Sequence, residues 1–282
     1  MEAIVLVGGE GRRLRAVVSD LPKPMANVAG RPFLWWLLTR LAQQEVRRVI
    51  LSAGYKADAI QNHFGHVFSG VELAYSVETE PLGTGGAIRL ALEQARETQV
   101  IVLNGDTYTD VDLRGLSGKF ESSGTDLAVA VTHVSDVARY GGVVIDQKTN
   151  RIVGFDEKQG TTAGYINAGI YCLRRDIFAR YPVPAKFSFE RDFLAQQLAL
   201  LRPVALTGIR AFIDIGVPAD YALAQTVIPE LAEEFLRDRP GLFPDFNSSI
   251  RARAGYPTKK IDFNIRVLLF PSLNSLAWTL CC

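Results

Sequence analysis

The sequence predicts an α/β fold: a three-layer, mostly parallel sheet with helices on both faces and a small antiparallel lid. Three observations carry that expectation. Strand-like and helix-like runs alternate through the first half of the chain, as successive strand–helix–strand units do. Glycine-rich and acidic motifs follow the strand-like runs directly, and open parallel sheets bind ligands beyond the carboxyl ends of their strands. From about Gly142 to Tyr171 the runs are extended and broken by turn formers, which reads as an antiparallel lid.

Strands are expected at residues 3–7, 48–52, 72–76, 100–103 and 127–132, each short enough and apolar enough for a buried strand. Pro32 opens an apolar helix running to about Gln44, proline being suited to a first helical turn. A shorter helix is expected at 57–64. Residues 84–96 are amphipathic, with Thr84 as N-cap. Runs 142–145, 151–155 and 165–173 make up the lid; helices follow at 174–180 and 190–201, then a strand near 208–213 and a closing helix from Pro218 to about Phe235. Residues 1–235 thus form one domain. Arg237-Asp238-Arg239-Pro240-Gly241 breaks the last helix, and 236–282 reads as a tail: a packed appendage, a subunit-contact arm or a poorly ordered end. No internal repeat is visible.

The 282 residues are 48% hydrophobic and 22% charged, a globular composition. A net charge of +1 denies the chain the basic field that nucleic-acid binding needs, so cations must act locally. Cys172, Cys281 and Cys282 give no disulfide framework, which points to a reducing compartment. No secretory signal opens the chain, and no apolar run approaches the ~20 residues that span a bilayer. A soluble cytoplasmic protein is expected.

The most informative motif is Gly8-Gly9-Glu10-Gly11-Arg12-Arg13, with Lys23 ten residues further on between Pro22 and Pro24. Three glycines in four positions after a strand let backbone amides approach phosphate oxygens. Arg13 offers a planar fork and Lys23 a compact charge, so the two suit different oxygens of one polyphosphate. Without Lys23, a tight turn with solvated arginines explains the same glycines. Leu14 stands where a dinucleotide fingerprint needs its third glycine, and the Gly-Lys-Ser/Thr of a P-loop occurs nowhere. Asp106 follows the run 100–103 and Asp214 the run 211–213, so both carboxylates fall at strand ends beside the glycine loop. A magnesium ion takes one or two protein carboxylates beside phosphate oxygens. The alternatives are a turn aspartate at 106 and a helix cap at 214. His63, His66 and His133 are scattered and read as packing or surface residues.

These motifs, with Leu82-Gly83-Thr84-Gly85-Gly86, Asn104-Gly105-Asp106, Asp156-Glu157-Lys158, Asn167-Ala168-Gly169, the run 187–194 and Asp214-Ile215-Gly216, resemble in order those of sugar-phosphate nucleotidyltransferases. The resemblance covers roughly residues 1–231. It implies a Rossmann-like sheet and attack by a sugar 1-phosphate oxygen on the α-phosphorus of a nucleoside triphosphate, releasing pyrophosphate. It assigns Arg13 and Lys23 to catalysis, Asp106 and Asp214 to Mg2+, and Gly8, Gly9, Gly11, Leu82, Gly83, Thr84 and Gly85 to the nucleotide. Gly142, Glu157, Lys158 and Asn167 fall to the sugar phosphate. Arg139 and Tyr140 belong to the same lobe. Taken alone, Glu157 and Lys158 suit a solvated turn, and Asn167 a hydrogen bond within the sheet. Resemblance favours GTP with a manno-configured heptose 1-phosphate. Mannose, glucose or amino-sugar 1-phosphates with GTP or UTP are the alternative, and a sensor without turnover a further one. Arg12 departs from the small residue usual in the motif. Neither nucleic acid nor membrane is expected as a partner, and a homo-oligomer stays open.

Overall fold

The computed structural model describes residues 1–9, 21–156, 162–216 and 218–237. Gly11, Arg12, Arg13, Glu157, Lys158 and the tail from residue 238 lie outside the described residues. From the amino end run β1 (Glu2–Leu6), the hairpin β2 (Asn27–Val28) and β3 (Arg31–Pro32), and helix α1 (Phe33–Gln43). Next come β4 (Arg48–Ala53), α2 (Ala57–Phe64), β5 (Val67–Phe68), β6 (Val71–Val77) and α3 (Gly83–Leu92). β7 (Gln99–Asn104), β8 (Thr107–Thr109), α4 (Leu113–Ser123) and β9 (Leu127–Val134) follow. The second half holds β10 (Gly142–Asp146), β11 (Arg151–Asp156), β12 (Gly164–Arg174) and α5 (Ile177–Arg180). A π-helical turn (Phe189–Leu194), α6 (Leu198–Leu201), β13 (Val204–Leu206), β14 (Phe212–Asp214) and α7 (Pro218–Arg237) complete it.

Ten strands make one sheet in the order β10-β11-β13-β9-β12-β7-β1-β4-β6-β5. β7, β1, β4 and β6 run parallel. β12 joins antiparallel to both β7 and β9, so the sheet is mixed rather than mostly parallel. Only β10 and β11 are joined by a tight turn, which requires an antiparallel pair; β12 runs against both of its neighbours, β7 and β9, which share one direction. Nor is the lid a sheet of its own. β10 and β11 pair with each other and extend the main sheet through β11–β13 and β10–β12.

Alternation along the strands divides the core into two apolar layers. Ala3 and Val5 of β1 and Ile101 and Leu103 of β7 pack with Leu34 and Leu38 of α1, Leu116 of α4 and Ile228 of α7. Ile4, Val100 and Val102 face the other way, onto Ile88 of α3 and Phe187, Phe189 and Phe193. Burying each such aliphatic or aromatic side chain stabilises the fold by roughly 1.5–3 kcal/mol. Among the described residues no helix is long and apolar enough to cross a membrane.

Other boundaries shift for local reasons. Thr84 is not an N-cap: α3 starts at Gly83 behind Leu82, and the Thr84 hydroxyl is used elsewhere. The expected helix over 190–201 is a π-helical turn and a separate four-residue helix, the first capped by Ser188, whose hydroxyl accepts from the Arg191 amide. The strand expected near 208–213 begins only at Phe212 and carries Asp214 as its last residue. Arg174 closes β12 instead of opening a helix.

Candidate active site

The carboxyl ends of β1, β4, β6 and β7 open into a cleft of about 950 Å³. Its floor includes Gly8 and Gly9 after β1, Gly54 and Tyr55 after β4, Glu78 to Pro81 after β6, and Asn104 to Asp106 after β7. Gly105 is needed here for its lack of a side chain: its amide bonds the Leu6 carbonyl at 2.9 Å, and a Cβ would sit 2.3 Å from that oxygen.

Lys23 opens a 3-10 turn between Pro22 and Pro24, and its ammonium is largely enclosed. It donates to Asp106 Oδ2 at 2.5 Å and lies 3.7 Å from Asp214 Oδ1. The two carboxylates, distant in sequence, meet because β14 pairs antiparallel with β8 and sets Asp214 opposite Thr107. The Ile215 amide then donates to the Asp106 carbonyl at 3.0 Å. Asp214 ends a strand and accepts from the Gly216 amide at 2.7 Å, so it does not cap the closing helix. A Cβ at Gly216 would approach both Lys23 Nζ and Asp214 Oδ1 to 2.7 Å. Arg139 reaches in from the segment before β10, donating to Asp214 Oδ2 at 3.2 Å and Asp220 Oδ2 at 2.7 Å. Burial is the largest influence and opposes its charge, but the hydrogen bond to Asp220 and the charges of Tyr140, Asp220 and Asp214 together raise the guanidinium above its usual range. Burial likewise pushes the Tyr140 phenol up to about 12.

Gly83 and Thr84 line the cleft, whereas Leu82 and Gly85 turn their amides to protein partners. The Leu82 amide donates to Glu78 Oε2 at 2.8 Å and the Gly85 amide to the Phe187 carbonyl at 3.0 Å. Gly83 has φ +75°, and a Cβ there would fall 2.5 Å from the Phe187 carbonyl oxygen. Gly142, at the start of β10, pairs with Asp156 of β11, the last described residue before Glu157. Asn167 sits in β12 beside a bulge, with its amide tied to Gly169 and Tyr171.

Sequence reasoning assigned no part to Glu78 or Glu190, both of which line the cleft. Glu78 carried no signal of its own. Glu190 lies within the run 187–194, but its hydrogen-bond partners Thr84 and Tyr171 come from other parts of the chain.

Comparison with known proteins identifies the family. A family model described as nucleotidyl transferase matches residues 2–229. The D-glycero-alpha-D-manno-heptose 1-phosphate guanylyltransferase of Aneurinibacillus thermoaerophilus is 43% identical over 225 residues, covering 80% of this chain and 97% of the relative. The mannose-1-phosphate guanylyltransferase of Mycobacterium tuberculosis is 36% identical over 201 residues, 71% of this chain and 56% of the relative. The crystal structure of HddC from Yersinia pseudotuberculosis complexed with GMP-PN has a TM-score of 0.68 and 39% identity, covering 79% of this chain and 97% of that one.

Proposed function

The chain belongs to the nucleotidyl transferase family, with its Rossmann-like α/β fold, and on that premise we propose that it condenses a sugar 1-phosphate with GTP. The products are a GDP-sugar and pyrophosphate, and D-glycero-alpha-D-manno-heptose 1-phosphate is the preferred sugar. The observation that carries this is Lys23 held between Asp106 and Asp214 in the cleft. One phosphate oxygen of the sugar attacks the α-phosphorus while the bond to the β-phosphate breaks. Holding those atoms in line and offsetting the developing charge suffices for catalysis.

Lys23 and Arg13 supply positive charge to the triphosphate, and Gly8, Gly9 and Gly11 admit it to the backbone. Asp106 and Asp214 fit a magnesium ion. Among the described residues no group of three acidic, histidine or cysteine side chains could hold a metal ion by itself, so phosphates and water would have to complete the shell of an ion at Asp106 and Asp214. Such an ion supplies charge neutralisation on the triphosphate. Gly83 and Thr84 border the base, with Leu82 and Gly85 shaping the loop from behind. Glu78, fixed by the Leu82 amide, offers the acceptor oxygens that guanine's adjacent N1–H and N2–H groups require. Gly142, Glu157, Lys158 and Asn167 serve the sugar phosphate.

A pyrophosphate-release screen of four nucleoside triphosphates against heptose, mannose, glucose and amino-sugar 1-phosphates, with Mg2+, tests the proposal. The highest kcat/KM is expected for GTP with the manno-heptose. A preference for mannose 1-phosphate overturns the sugar assignment alone. No release with any pair overturns transferase activity and leaves a binding protein.

A further inference from the structure

Glu190 stands on the cleft wall where the nucleotide loop meets β12, and every hydrogen bond around it points the same way. The Thr84 hydroxyl accepts from the Phe189 amide at 2.8 Å, which leaves its proton for Glu190 Oε2 at 2.9 Å. Ser188 Oγ, itself an acceptor for the Arg191 amide, lies 3.4 Å from that oxygen. On the other side the Gly169 amide donates to Asn167 Oδ1 at 2.9 Å, which fixes the Asn167 amide group. Its Nδ2 then donates to the Tyr171 phenol at 2.7 Å, and the phenol donates to Glu190 Oε1 at 3.1 Å. Tyr171 is fully buried, and burial together with the Glu190 charge holds its phenol well above the usual range, so it stays a donor.

Both Glu190 oxygens therefore receive protons from the protein side, which suits an ionised carboxylate. A carboxylate has about four acceptor positions: Oε1 has one protein donor and keeps a lone pair, and Oε2, whose second donor is only the long Ser188 contact, can exchange it for a nearer ligand hydroxyl. The side of the group that lines the cleft can accept only from a ligand. A phosphate is repelled there, whereas hydroxyls on adjacent carbons match two adjacent acceptor oxygens.

Resting on the transfer reaction above, we propose that Glu190 binds a vicinal pair of substrate hydroxyls and determines specificity for them. Asn167 is then a positioning residue, acting through Tyr171. Thr84 belongs to the nucleotide loop and Tyr171 to β12, so the diol is either the ribose of the nucleotide or part of the sugar phosphate.

Two arms separate these sources. In one, GTP is compared with 2′-deoxyGTP and 3′-deoxyGTP; in the other, the sugar 1-phosphate found by the screen is compared with its single-deoxy analogues. The wild type is expected to prefer the full hydroxyl set by about 10²-fold or more in kcat/KM in one arm, as sites built to bond a hydroxyl do. Glu190→Gln should shrink that ratio at least tenfold in the same arm and leave the other unchanged. A Tyr171→Phe enzyme keeps the charge but loses one inner donor, and should loosen the same ratio by a smaller factor, which covers a misfolded glutamine variant. A wild type that turns over no pair removes the transfer reaction and this inference together. Turnover with wild-type ratios in both arms for either variant overturns this inference alone.

Discussion

Lys23 faces two carboxylates with one charge, and Arg139 offsets Asp214 only while also serving Asp220. Among the described residues, then, Lys23 and Arg139 face three carboxylates, Asp106, Asp214 and Asp220, an excess of negative charge that a divalent ion can use. Asp106→Asn and Asp214→Asn are each expected to lower kcat by about 10²-fold or more, the scale of losing a preorganised charge group. An Mg2+ titration of turnover, with circular dichroism to check the fold, decides it; near-wild-type rates at limiting Mg2+ for both variants remove the metal assignment. Glu78→Gln should narrow the preference for GTP over ATP, because an amide turns one acceptor oxygen into a donor facing guanine's own donors. An unchanged GTP/ATP ratio of kcat/KM places base selection elsewhere. Lys23, Asp106 and Asp214 could be singled out in the sequence because the two aspartates follow strand-like runs and Lys23 stands between two prolines after the glycine loop. Glu78 and Glu190 were not, since their roles appear only with partners in hand: Thr84 is 106 residues from Glu190.

Glycine shows how an element answers to its surroundings. Gly85 and Gly118 both lie inside helices, but a Cβ at Gly85 would fall 2.1 Å from the Phe187 ring while one at Gly118 meets nothing within 4 Å. Gly85→Ala should therefore destabilise the protein by about 1–3 kcal/mol through overpacking. Gly118→Ala should stabilise it by about 0.5–1 kcal/mol, the helix gaining what glycine loses in entropy. Urea denaturation of the two variants checks the opposite signs, and a shift in the same direction for both contradicts the packing of α3 on the aromatic cluster. The same chemistry explains a missed element. Helix α4 has Asp112 as N-cap and Gly124 in the left-handed region as C-cap, both readable signals. Gly115 and Gly118 inside it diluted the helical pattern below recognition. The π-helical turn was hidden for another reason: Phe189 and Phe193 repeat at helical spacing, and only their packing against α3 decides the winding.

For the whole molecule, the two apolar layers were legible because β1 and β7 are continuous apolar runs, as strands buried on both faces are, but the direction of strand pairing was not. An apolar strand reads the same whether its neighbour runs parallel or antiparallel, and the link length that decides between them depends on boundaries that shifted by several residues. We propose that the folded unit ends with α7. The family match ends at residue 229, and 225 residues of this chain account for 97% of a guanylyltransferase relative. Among the described residues α7 is the last element to reach the core, its Ala224, Ile228 and Ala232 packing against the α1 side of the sheet. A chain ending at Arg237 keeps that helix whole and every described residue that lines the cleft. Because the family match ends at residue 229, it is expected to unfold within a few degrees of the full chain and to retain kcat/KM for GTP and the sugar 1-phosphate within about twofold. Thermal denaturation and steady-state kinetics of the two chains side by side measure this. A large drop in Tm would make the residues after 237 part of the fold, and a selective loss of turnover at unchanged Tm would make them part of the active site.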